Sequence, residues 1–99
     1  MDYFLGIDIA KTNHVASLID KEGNIVIRAI KFTNSNEGFE KLLTTIQDKL
    51  DDLSNIDVAM EATGHYWLAL YSALVDNNFN VSVYNPYQIK SYRGASNNR

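Results

Sequence analysis

The feature that most constrains this chain is a change of hydrophobic period partway along it. From Tyr3 to Phe32 apolar residues alternate with others, as in strands; from Phe39 onward they recur at helical spacing. Tyr3–Ala10 (YFLGIDIA) reads as a first strand and His14–Asp20 (HVASLID) as a second. Ile25–Phe32 (IVIRAIKF) reads as a third, rich in β-branched residues. Lys21-Glu22-Gly23-Asn24 is a turn, since Gly23 and Asn24 tolerate positive φ. Connections this short make the three strands an antiparallel meander. Phe39, Leu42, Leu43, Ile46, Leu50 and Leu53 then form one helical stripe. Ser35 or Asn36 caps it, with Glu37 and Glu40 near its positive end and Lys49 toward its other end. A strand follows over Ile56–Met60, ending at Glu61. Thr63 or Gly64 opens a second helix over roughly His65–Asn77, with Trp67, Leu70, Tyr71 and Leu74 as its buried stripe. Phe79–Tyr84 (FNVSVY) is a fifth strand. Pro86 suits the first turn of a short helix, Pro86–Tyr92.

The order β-β-β-α-β-α-β predicts an α/β domain: a five-stranded mixed sheet with helices packed on it through right-handed crossovers. This is the ribonuclease H-like order. A chain of 99 residues holds one such domain, with residues 1–85 as its core and 86–99 as a basic helix or tail. In that order the fourth strand runs parallel to the first and beside it. Asp8 and Glu61, near the C-terminal ends of these strands, then face one another across one strand spacing of about 4.8 Å.

Two carboxylates that close repel unless a proton or a cation intervenes. Hard divalent cations such as Mg²⁺ take oxygen ligands of this kind and keep several waters. In phosphoryl transfer such metals activate a nucleophile and stabilise a leaving oxygen. Asp8, on the central strand, is the expected bridging ligand, and Glu61 holds the metal from the side. The competing structural reading makes Asp8 a turn residue and Glu61 a helix-dipole partner.

Gly6-Ile7-Asp8-Ile9-Ala10-Lys11 resembles the opening motif of the DEDD-type insertion-sequence transposases, the family that includes the Piv-type DNA invertases. Glu61-Ala62-Thr63-Gly64-His65-Tyr66 resembles that family's second acidic motif. Asn85-Pro86 followed by Gln88-Ile89-Lys90 resembles the segment that comes next. The resemblance covers essentially the whole chain. It implies a catalytic domain similar to Holliday-junction resolvases, with four acidic residues that bind divalent metal. The first two correspond to Asp8 and Glu61. The other two are aspartates in a basic motif that does not occur here, since no acid follows Tyr84. The resemblance therefore implies a fragment of a DNA transposase, inactive alone and binding Mg²⁺ weakly. It also implies DNA as substrate, a structured guide RNA, a homo-oligomer in the full-length protein, and a serine nucleophile in a separate domain.

Other features refine this reading. Net charge is −3, which speaks against simple electrostatic coating of DNA. Yet the last stretch carries Lys90, Arg93 and Arg99 without an acid, so it is a candidate phosphate-contacting segment alongside Lys11. Solvated surface lysines and arginines are the competing account. Tyr84, Tyr87 and Tyr92 flank Lys90 and Arg93, an interleaving that suits single-stranded nucleic acid. His14 and His65 lack a spacing for zinc and read as structural, with His65 near enough to Glu61 to support it. No serine sits in a nucleophile context. The chain has no cysteine, which excludes disulfides and thiolate metal sites. No apolar run approaches the roughly 18 residues that span a bilayer, and the strand that follows Met1 leaves no room for a leader. A soluble, cytoplasmic protein is expected. An actin-like ATPase or sugar kinase shares the element order, but Ala10 and Lys11 stand where its phosphate turn needs small Gly-Thr residues. A non-catalytic interaction module is the third reading.

Overall fold

The computed structural model describes residues 2–84. Its elements are β1 (Tyr3–Asp8), β2 (Asn13–Asp20), β3 (Ile25–Thr33), α1 (Asn36–Gln47), a 3-10 turn (Leu53–Asn55), β4 (Ile56–Glu61), α2 (Leu68–Asp76) and β5 (Asn80–Tyr84). The order matches the one expected from the sequence. The short helix expected over Pro86–Tyr92 lies outside the described residues.

The five strands form one mixed sheet in the order β3-β2-β1-β4-β5. β2 is antiparallel to both β1 and β3, while β4 runs parallel to β1 and β5 parallel to β4. β3, β4 and β5 therefore point the same way. The crossovers β3-α1-β4 and β4-α2-β5 both step in the same direction across the sheet. Right-handed crossovers of that kind place both helices on the same face.

Burial agrees. Leu5 and Ile7 of β1, Ala16 and Leu18 of β2, and Ile30 and Phe32 of β3 close onto Leu42 and Ile46 of α1. Ile56, Val58 and Met60 of β4 join Leu70 and Leu74 of α2 in the same core. The alternate strand residues Phe4, Gly6, Asp8, Ser17, Glu61, Ser82 and Tyr84 are exposed on the other face, which no described element covers.

Both helices are shorter than their apolar stripes suggest. α1 starts as expected: the Ser35 hydroxyl accepts the Gly38 N–H at 3.0 Å. It stops at Gln47 rather than running through Leu53. The hydroxyls of Thr44 and Thr45 bond back to the Glu40 and Lys41 carbonyls, which weakens the last turn. Asp51 and Asp52 follow at the negative end of the macrodipole, where acids are unfavourable. Asp52 instead accepts the Ser54 N–H and starts the 3-10 turn. Lys49 is thus outside the helix, while Leu50, from irregular chain, and Leu53, from the 3-10 turn, still pack against the core. α2 starts at Leu68 rather than near His65. Gly64 takes a positive φ of 57°, and the Trp67 indole N–H donates to its carbonyl at 3.1 Å. That turn consumes the residues expected to form the first helical turn.

Candidate metal-binding pair at the sheet's open end

Asp8 is the last residue of β1. Because Leu5, Ile7 and Ile9 enter the core, the two-residue repeat turns Asp8 to the open face. Glu61 is the last residue of β4, and Ile56, Val58 and Met60 place it on that face by the same rule. The parallel register runs through Ile7↔Met60. One further step sets Asp8 beside Glu61. Both line one open cleft of about 660 Å³, shared with Gly6, Val15, Ser17, Ala59 and Tyr84. Among the described residues neither carboxylate has a hydrogen-bond or ion-pair partner.

The floor of this cleft follows from the strand registers. Ser17 pairs with Gly6, Gly6 with Ala59, and Ala59 with Ser82. Four small residues thus cross four strands in one row on the open face. On one side lie Asp8, Val15, Glu61 and Tyr84; on the other lie Phe4, Ile19, Asp57 and Asn80. A Cβ on Gly6 would meet nothing within 4 Å. Packing therefore does not demand glycine there, and its effect is to leave room beside Asp8.

The backbone around the pair is tied down at several points. Past Glu61, the Ala62 N–H donates to the Tyr84 carbonyl at 2.6 Å and the Thr63 N–H to the Glu61 carbonyl at 3.0 Å. Past Asp8, the Ala10 N–H donates to Nδ1 of His14 at 3.2 Å. His14 is fully buried, and its Nε2 has no partner among the described residues. Leaving such a group unpaired costs about 1–3 kcal/mol. Asn34 joins the two connections. Its backbone N–H donates to the Thr12 carbonyl at 3.0 Å, and its side-chain amide reaches the Tyr66 carbonyl at 3.4 Å.

Of the other residues singled out in the sequence, Lys11 is exposed in the connection after Asp8. Lys90 and Arg93 lie outside the described residues, as do Tyr87 and Tyr92. His65 is exposed and packs its ring on Tyr66, with centroids 4.9 Å apart. Its side chain makes no hydrogen bond to Glu61 among the described residues. Trp67 and Tyr71 pack edge to face against each other, with centroids 5.7 Å apart, and both lie half-buried against the core, as read from their spacing. Sequence reasoning missed the tethers made by His14 and Asn34. His14 lies at an ordinary inward position of β2, and only the path of the turn brings Ala10 to it.

As a donor set, the pair fits a hard cation. Mg²⁺ is commonly held by one or two carboxylates, with waters and substrate phosphates completing its shell. No cluster of three or more His, Cys, Asp or Glu suited to a metal occurs among the described residues.

Comparison with known proteins gives the class first. The family model of DEDD transposases of the IS110 group, described as transposase, matches residues 5–99. The chain belongs to this transposase family. Particular relatives are the pilin gene-inverting proteins of Moraxella bovis and Moraxella lacunata. Each is 34% identical over 89 residues, covering 90% of this chain and 27% of the relative. The chain thus spans about a quarter of the length of these relatives. Among solved structures, the ethanolamine utilization protein EutJ of Carboxydothermus hydrogenoformans aligns over 84% of this chain and 36% of its own. It does so at a TM-score of 0.43 and 10% identity. The Ppx/GppA phosphatase of Aquifex aeolicus aligns over 87% of this chain and 36% of its own, at 0.44 and 11%.

Proposed function

We propose that this chain forms the N-terminal part of the catalytic domain of a DNA transposase or invertase. In this reading the domain is ribonuclease H-like and supports divalent-metal-dependent phosphoryl transfer on DNA. The observation that carries it is the placement of Asp8 and Glu61 at the ends of neighbouring parallel strands, on one face and beside one cleft. Family membership supports the DNA substrate. The strand order, with β2 alone antiparallel to its neighbours, supports the fold label.

In this reading Asp8 and Glu61 are the residues that would hold Mg²⁺. When bound, the metal would supply charge neutralisation at the phosphate and an acidified water. The chain's own share is placement. The β1–β4 ladder fixes the spacing of the two carboxylates, and the row of small residues keeps the approach to them open. Lys11, exposed three residues beyond Asp8, is proposed to meet a phosphate of the bound strand. Lys90 and Arg93 are proposed further phosphate contacts. A guide RNA and a homo-oligomer in the full-length protein rest on the family resemblance.

The test is a Mn²⁺ titration of isotope-labelled chain followed by nuclear magnetic resonance. Paramagnetic broadening is expected to reach Ile7–Ile9 and Met60–Ala62 together, and excess Mg²⁺ should reverse it. Asp8→Asn and Glu61→Gln should each remove the broadening at both strands. Broadening centred elsewhere, or insensitive to both substitutions, overturns the reading.

A further inference from the structure

We propose that His14 is a positioning residue for Asp8, holding from within the core the turn that sets the direction of its carboxylate. The inference rests on the reading of Asp8 as a metal ligand. His14 has no exposed surface and is the one fully buried side chain among the described residues that carries polar atoms for hydrogen bonding. Its Nδ1 accepts the Ala10 N–H, so the neutral ring carries its proton on Nε2. That Nε2–H meets no acceptor among the described residues, and the ring packs edge-on against Phe32, with centroids 5.4 Å apart. An apolar side chain of similar volume would fill this position without burying an unpaired N–H. What the imidazole adds is one acceptor aimed at one backbone group.

That group matters because of where the ladders end. β1 pairs with β4 through Ile7 and with β2 through Asp8. Asp8 is therefore the last residue held by the sheet, and the Ala10 N–H lies beyond both ladders. The tripeptide Asp8–Ile9–Ala10 is held at its start by β2 and at its end by His14. Ile9 is buried between the two holds. Removing the Nδ1 acceptor frees the far end. The backbone can then pivot at Ile9, and the direction of the Asp8 carboxylate is no longer fixed against Glu61. Partners that orient a metal ligand in this way typically change metal affinity by about 10–100-fold.

The experiment uses the 99-residue chain and Mn²⁺ as the probe. His14→Leu keeps the volume and removes the acceptor. His14→Asn keeps an acceptor near the Nδ1 position. The Mn²⁺ concentration for half-broadening at Asp8 and Glu61 is expected to rise about tenfold in His14→Leu. It should return to within about twofold of the parent in His14→Asn. The melting temperature of His14→Leu is expected within about 5 °C of the parent, a span that corresponds to a small stability change in a domain of this size.

Equal affinity in His14→Leu and the parent overturns the proposal, and so does equal weakening in both variants, which marks His14 as packing alone. If Asp8→Asn leaves broadening unchanged, it is the metal-ligand reading of Asp8 that fails. Should neither His14 variant fold, the ¹⁵N spectrum of the parent imidazole decides. An unprotonated Nδ1 coupled to the Ala10 amide supports the tether, and a protonated Nδ1 overturns it.

Discussion

Gly38 shows how a single residue can contradict propensity. It is the third residue of α1, where alanine would ordinarily favour the helix by about 1 kcal/mol. A Cβ at this position would stand 1.9 Å from the Thr33 carbonyl oxygen, which is backbone and cannot swing aside. Gly38→Ala is therefore expected to destabilise, by about 1–3 kcal/mol, as overpacking does. Urea unfolding measures it, and a gain in stability would show that α1 can shift from β3 at no cost. At the same scale, the carboxylate pair was legible in the sequence and its support was not. Alternation with Leu5, Ile7 and Ile9 sends Asp8 outward whatever the details of the fold. The bond from Ala10 to His14 depends on the path of a connection that no hydrophobic period encodes.

At the scale of elements, the sequence located every described strand and both helices, but it misjudged the helix ends. An apolar stripe reports which residues face the core. It does not report whether the chain between them stays helical. Leu50 and Leu53 face the core from beyond the end of α1, so they extended the apparent helix. The β2–β3 turn was readable because Gly23 and Asn24 supply its chemistry, and Gly23 does take a positive φ of 87°. The turn is also pH-sensitive. The Asn24 backbone N–H chiefly holds the Asp20 carboxyl below the usual aspartate value; desolvation opposes it, and the Asn24 side-chain amide and the Glu22 N–H add to the lowering. The Ser54 hydroxyl and N–H do the same for Asp52. A depressed folded-state value stabilises above the unfolded value of about 3.9 and ceases to as pH falls through the folded value. Acid titration followed by circular dichroism should therefore show stability falling below about pH 4, with a shallower fall in Asp20→Asn. An unchanged slope would mean that the turn is equally bonded in the unfolded chain.

β1 carries a second element-scale expectation. Glycine inside a strand costs about 0.5–1 kcal/mol relative to alanine, and open space surrounds the missing Cβ of Gly6. Gly6→Ala should stabilise the chain by about that amount in urea unfolding. A bulkier Gly6→Val should also fold, but it would crowd the cleft floor between Ser17 and Ala59. Loss of stability in both variants would give Gly6 a structural role that the contacts do not show.

For the molecule as a whole, all buried apolar side chains of the described residues lie on the helix-covered side or at its rim, and both carboxylates lie on the other. Stability and the proposed chemistry are thus divided between the two faces of one sheet. The division is testable because it makes the carboxylates dispensable to the fold. Asp8 and Glu61 are exposed and unpartnered among the described residues, and exposed positions without partners usually change stability by less than about 0.5 kcal/mol. Asp8→Asn, Glu61→Gln and the double variant should all melt within a few degrees of the parent in the absence of metal. Mg²⁺ separates them. A ligand that binds only the folded chain stabilises by RT ln(1 + [L]/Kd), about 1.4 kcal/mol at a tenfold excess over Kd. In a domain of this size that raises Tm by roughly 5–10 °C. The parent chain should show this rise, reached at high Mg²⁺ because the cleft presents only two carboxylates among the described residues, and the three variants should not. If the variants gain as much as the parent, the cation is binding elsewhere on this acidic chain. The sheet end would then be a structural terminus rather than a metal site.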